Sequence, residues 1–140
     1  MRKKRGFTLI ELLAVIAIIG IISIIAIPNI IGLSTGVKKD QMLDDAKKFI
    51  SLAKYKVNSD ASLRLSNQTF SISELNDNVD IEKDPDGGEY NESSEVRYTI
   101  ANNTQEYCII LIGSKRAIGN STNCVKEENL YSRSNVVDLE

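Results

Sequence analysis

Hydrophobic and polar positions change rhythm twice along this chain. From Leu12 to Ile27 only Gly20 and Ser23 interrupt an aliphatic run, and the apolar character extends over Phe7 to Ile31. At about 1.5 Å rise per residue that stretch is long enough to span a bilayer as a helix. After Pro28 the pattern becomes amphipathic. Met42, Leu43, Ala46, Phe49, Ile50, Ala53 and Val57 recur at three- and four-residue steps, which places them on one helical face. Asp40, Asp44, Lys47, Lys48 and Lys54 fall between them, and Asp44 followed by Lys48 has the favourable acid-first spacing. A helix continuous from Phe7 to about Val57 would be roughly 75 Å long, more than a small domain can bury. Its first half therefore needs lipid or partner helices.

The rest of the pattern is that of strands and turns. Residues 58–78 read as a polar connection with a strand or helical turn near Ser71 to Leu75. Val96, Tyr98 and Ile100 alternate, Asn102 and Asn103 offer a turn, and Tyr107 to Ile112 form an apolar run bounded by Gly113. These segments predict a β-hairpin, with a further strand or loop between Lys115 and Val125. The fold class expected is α+β, a spine helix laid against a small antiparallel sheet.

Charge sharpens the division. Arg2, Lys3, Lys4 and Arg5 precede every acid, so residues 7–140 carry 13 basic against 19 acidic side chains, a net of −6. A net-acidic body argues against direct binding of nucleic acid, which rests on neutralising phosphates. The basic start would hold the N-terminus in the cytoplasm and send the rest across. A cleaved secretory signal fits poorly, because the apolar stretch is long and no A-x-A-like site follows it. A plain anchor fits the hydropathy but leaves Glu11 unexplained. A carboxylate in hydrocarbon costs a few kcal/mol and usually marks a paired or functional group, although Glu11 lies only a turn inside the run and could stay wet at the headgroups.

The segment KKRGFTLIELLAVIAIIGIISIIAIP resembles the N-terminus of type IV prepilins and related pilin-like proteins. The shared features are a short basic leader ending in Gly, a Phe directly after it, a Glu four residues further on, and an aliphatic helix interrupted by Gly and Pro. The resemblance covers about the first 30 residues. It implies that a prepilin peptidase cuts between Gly6 and Phe7, that Phe7 becomes the N-methylated first residue, and that the apolar helix is kept. It also implies four regions: a removed leader (1–6), a transmembrane and filament-core helix (7–34), an amphipathic continuation (35–58) and a β-rich head (59–140).

By the same resemblance Glu11 meets the terminal amine of Phe7 in a neighbouring subunit as helices stack. Two opposite charges desolvated together attract strongly, whereas either alone is heavily penalised, so the pair would set the register of assembly. Pro28 removes a backbone donor and Gly20 weakens the helix by about 1 kcal/mol, so the segment between them is a candidate bend when subunits pack.

Cys108 and Cys124 fall in the head, which this topology places outside the membrane. An oxidising location favours a disulfide closing a loop of about 15 residues, worth roughly 3 kcal/mol, over two free thiols. Pilins similar to this chain often pin the head in this way. No metal site is predicted: the chain has no His and no C-x-x-C spacing. Asp84, Asp86 and Glu89 surround a Pro85, Gly87–Gly88 turn and could hold calcium, but their spacing differs from an EF-hand loop and matches ordinary turn chemistry. The Asn67, Asn91, Asn102 and Asn120 sequons are of the kind that Asn-rich loops generate by chance. No cofactor motif and no catalytic constellation is present.

The sequence thus predicts a structural subunit of a type IV pilus or pilus-like filament, serving adhesion or motility. Its partners would be copies of itself and other pilins, the prepilin peptidase, the assembly platform and, before assembly, the membrane. It would sit in the membrane by one pass and then in a cell-surface pilus. A type II secretion pseudopilin and a competence pilin are alternatives, and a monomeric anchored binding domain is a more distant one.

Overall fold

A computed structural model describes residues 5–77, 81 and 83–140, apart from the side chains of residues 25–33. The basic residues 2–4 of the leader lie outside the described residues. The chain forms two compact units, divided between Thr35 and Gly36. One helix, α1 (Leu9–Ser59), contributes to both, and its helical backbone is unbroken through Gly20 and Pro28.

In the second unit the amphipathic stripe determines what α1 buries. Met42, Leu43, Ala46, Phe49, Ile50, Ala53 and Val57, the seven residues that periodicity places on one face, are all buried in one apolar core. Full burial of a large aliphatic or aromatic side chain stabilises by about 1.5–3 kcal/mol, so this stripe fixes the helix to the sheet. The opposite face carries Tyr55, exposed to solvent. The expected Asp44–Lys48 pair is not the one formed. Lys47 reaches Asp44 at 3.6 Å and Lys48 turns to Asp45 at 3.5 Å, both at three-residue spacing. Asp45 is itself buried and accepts a hydrogen bond from the Tyr90 hydroxyl at 2.7 Å, so its fixed carboxylate draws Lys48 away from the exposed Asp44.

The sheet is antiparallel, built from β1 (Gln68–Ser71), β2 (Glu95–Ala101), β3 (Thr104–Ile112), β4 (Arg116–Ile118), β5 (Val125–Lys126) and β6 (Val136–Asp138). Its order is β1-β2-β3-β4-β6, and β5 pairs with β3 as well. Both elements read near Ser71–Leu75 are present: β1 ends at Ser71, whose side chain then accepts from the Glu74 N–H and starts the short helix α2 (Ile72–Asn76). The β2–β3 hairpin turns on Asn102 and Asn103, with φ of 51° and 63°. Asn tolerates this left-handed region, and two such residues make the tight turn that matches strand twist. The resulting register sets Val96 opposite Ile109 and Tyr98 opposite Tyr107, all facing the helix.

Between Lys115 and Val125 the chain forms β4 and then turns back at Gly119, where φ is +71° and an added Cβ would meet the Asn123 carbonyl oxygen at 2.5 Å. The closing β6 is a strand that sequence reading does not identify. Its buried Val136 lies opposite Ile118, and Leu130 completes the core beside it.

Candidate assembly segment

Gly6 and Phe7 precede the helix, outside any helix or strand and exposed to solvent, with Phe7 90% exposed. The helix begins with a reciprocal cap. The Thr8 N–H donates to Glu11 Oε2 at 2.8 Å, and the Glu11 N–H donates to Thr8 Oγ1 at 3.3 Å. This is the T-x-x-E capping box, which satisfies two of the donors a helix N-terminus leaves open and sets a carboxylate where the helix dipole favours it. Glu11 therefore has a local partner in the single chain as well as the intermolecular one expected of it. The motif is legible in the sequence, but the apolar run around it draws attention to membrane cost instead.

Beyond the cap the described side chains as far as Ile24 are almost all aliphatic. From Leu9 to Ile24 every large aliphatic side chain is exposed, between 49% and 79%. Gly20 has open space around it, and the lone polar residue, Ser23, donates its hydroxyl to the Ile19 carbonyl at 2.7 Å. That bond to the preceding turn lets a serine sit among aliphatics with no unsatisfied donor. Among the described residues no helix is long and apolar enough to cross a membrane. The apolar run continues into residues 25–33, including the Pro28 ring, whose side chains lie outside the described residues.

In the head, Cys108 and Cys124 are joined in a disulfide with Cα atoms 5.5 Å apart. It ties β3 to the chain entering β5, which pairs with β3 at Cys108 and Ile109. The carboxylates around the Pro85 turn do different work from one another. Asp84 is buried and accepts the backbone N–H groups of Asp86 and Gly88, each at 2.9 Å, and of Ser114. Burial opposes its charge, but these donors, Ser114 foremost, outweigh it and hold the carboxyl below its ordinary value. Asp86, also depressed against the cost of burial, is held by Arg116 and Lys38. Glu89 is exposed and joins neither. Among the described residues no group of three potential ligands is arranged to hold a metal ion.

Arg116 is the head's main polar surprise. Its Nε and Nη2 donate to the two Asp86 oxygens at 3.0 and 3.3 Å, and its Nη1 donates to Asp138 at 2.6 Å. Nothing local in the sequence signals these contacts, since the partners lie 30 and 22 residues away. A third buried acid–partner contact, Tyr90 to Asp45, raises the phenol's pKa, burial being the larger cause and the Asp45 hydrogen bond the next.

Residues 1–27 match the family described as the prokaryotic N-terminal methylation motif. That motif is the leader signature of type IV prepilins, and it points to a pilin-like or pseudopilin structural subunit rather than an enzyme. No curated protein and no solved structure matches the chain. The α+β arrangement described above, a helix packed on a small antiparallel sheet, is consistent with a type IV pilin fold.

Proposed function

We propose that this chain is a subunit of a type IV pilus or related filament, inserted in the membrane as a prepilin and then assembled at the cell surface through its N-terminal helix. The observation that carries the reading is the methylation motif over residues 1–27 together with a helical stretch, Leu9–Ile24, whose aliphatic side chains are exposed. A prepilin peptidase cuts after Gly6 and Phe7 is methylated. Lipid covers the exposed aliphatics before assembly, and neighbouring helices cover them afterwards.

In this reading Glu11 works in two steps. The capping box holds its carboxylate against its own helix start while the subunit waits in the membrane, which lowers the cost of a buried charge. In the filament it accepts the Phe7 amine of a neighbour, and a subunit docked at the wrong height leaves a charge unmatched. Packing bends α1 between Gly20 and Pro28, where the helix is weakest. The head, with its disulfide, faces outward for adhesion or motility.

Co-expression with a prepilin peptidase, followed by mass spectrometry and imaging of filaments, tests this. Loss of residues 1–6 with one added methyl at Phe7 is expected; an uncut product would sink the processing step. Glu11→Ala is expected to be processed and inserted normally yet to fail in assembly, and normal incorporation of that variant removes the register role.

A further inference from the structure

The first head-side turns of α1, Gly36 to Gln41, bury no apolar side chain. Val37 is exposed, and the core stripe starts only at Met42. Three consecutive residues there instead reach three separate segments of the head. Lys38 meets Asp86 on the Pro85 turn at 3.1 Å, and Lys39 meets Asp138 in β6 at 3.2 Å. Asp40 accepts both Nε and Nη2 of Arg133 at 2.6 Å. Behind them Arg116 grips Asp86 and Asp138 together, so the two acids that receive the helix lysines are already fixed relative to each other. Asp86 and Arg116 are nearly out of solvent, at 3% and 11% side-chain exposure, while the Arg133–Asp40 pair is open to it. A buried charge that loses its partner is strongly penalised, whereas an exposed pair contributes little and is screened by salt.

We propose that this network is an ionic clasp: it fastens residues 36–41 of α1 to the head independently of the apolar core, as a joint that can open without unfolding the sheet. The clasp has a fixed inner half, Asp86–Arg116–Asp138, and a detachable outer half supplied by Lys38, Lys39 and Asp40. Opening it frees the helix as far as Met42 and leaves Phe49, Ile50, Ala53 and Val57 in place. In a filament, tension carried along α1 would enter the head through this joint; that consequence, unlike the clasp itself, rests on the filament reading.

The test uses the full-length chain in detergent micelles, with spin labels placed through Val37→Cys and Thr99→Cys, both exposed positions, and the distance between them measured by pulsed electron resonance. The unmodified clasp is expected to give one narrow distance. Lys38→Met/Lys39→Met/Asp40→Asn, which strips the helix side and keeps Arg116 with its two acids, is expected to lose that narrow peak while near-ultraviolet circular dichroism of the head is unchanged. A narrow distance retained in a folded triple variant overturns the proposal. If the triple variant loses the head fold, Lys38→Met alone decides by the same criterion. Because the measurement is made on the unassembled chain, failure to build filaments bears only on the proposed function and leaves this result standing.

Discussion

The two described stretches of α1 belong to one helix and solve opposite problems. From Gly36 to Ser59 the helix writes its apolar residues on one stripe and buries seven of them against its own sheet. From Leu9 to Ile24 aliphatic residues go all the way round, and every large one is exposed. The first pattern contains the instruction for its own cover. The second contains none, because a helix apolar on every side has no face to offer water, and its cover must come from lipid or other chains. One helix can thus be half a domain core and half an unmet interface.

The comparison predicts that equivalent truncations have unequal effects. Phe49→Ala in the stripe is expected to destabilise the head by about 3–5 kcal/mol in denaturant unfolding. Ile16→Ala in the first half is expected to change that same unfolding by less than about 0.5 kcal/mol, because the side chain is 58% exposed and is not part of the head's core. A large effect of Ile16→Ala would break the distinction. Cys108→Ser/Cys124→Ser comes next, with a loss of about 3 kcal/mol of head stability by the chain-entropy account and no change in the capping of α1.

Asp84→Asn is expected to cost about 1–2 kcal/mol at neutral pH, since three backbone N–H groups lose an ionised acceptor. The pH sign follows from the depressed carboxyls of Asp84 and Asp86. Their contribution is complete above the ordinary value of 3.8 and disappears as pH falls through the lower folded values, so head stability should drop only below about that pH. The Asp84→Asn variant should show a shallower acid limb in unfolding measured against pH. Smallest is Thr8→Ala, which removes half of the capping box. About 1 kcal/mol of local helix stability is at stake, visible as faster amide exchange over the first turn and invisible in the unfolding of the head.

What could be read in advance follows the range of the forces. The stripe from Met42 to Val57 and the Asn102–Asn103 hairpin are local: periodicity and turn chemistry state them within a few residues. The capping box is equally local, Thr8 standing three positions before Glu11, but the aliphatic run on either side masks it by making the carboxylate look like a membrane problem. Arg116, Asp86 and Asp138 could not be paired from sequence, because their meeting depends on β4, the Pro85 turn and β6 arriving together. Strand β6 is short, and of Val136, Val137 and Asp138 only Val136 is buried, so its alternation is too brief to register as a pattern. Asp45 illustrates the same limit. Nothing near it in the chain signals its burial, which depends on a tyrosine 45 residues away coming to meet it.

The Cys108–Cys124 bond also decides how the head responds to a cut in its chain. It closes a covalent ring around β4 and the exposed turn at residues 120–123, the kind of polar surface turn at which proteases nick a chain. A single cut anywhere between the two cysteines severs the chain but not the molecule, since both fragments stay tethered through sulfur. A nicked head would migrate as one species without reductant and as two with it, and would hold its sheet together after damage that would separate the halves of an unbridged protein.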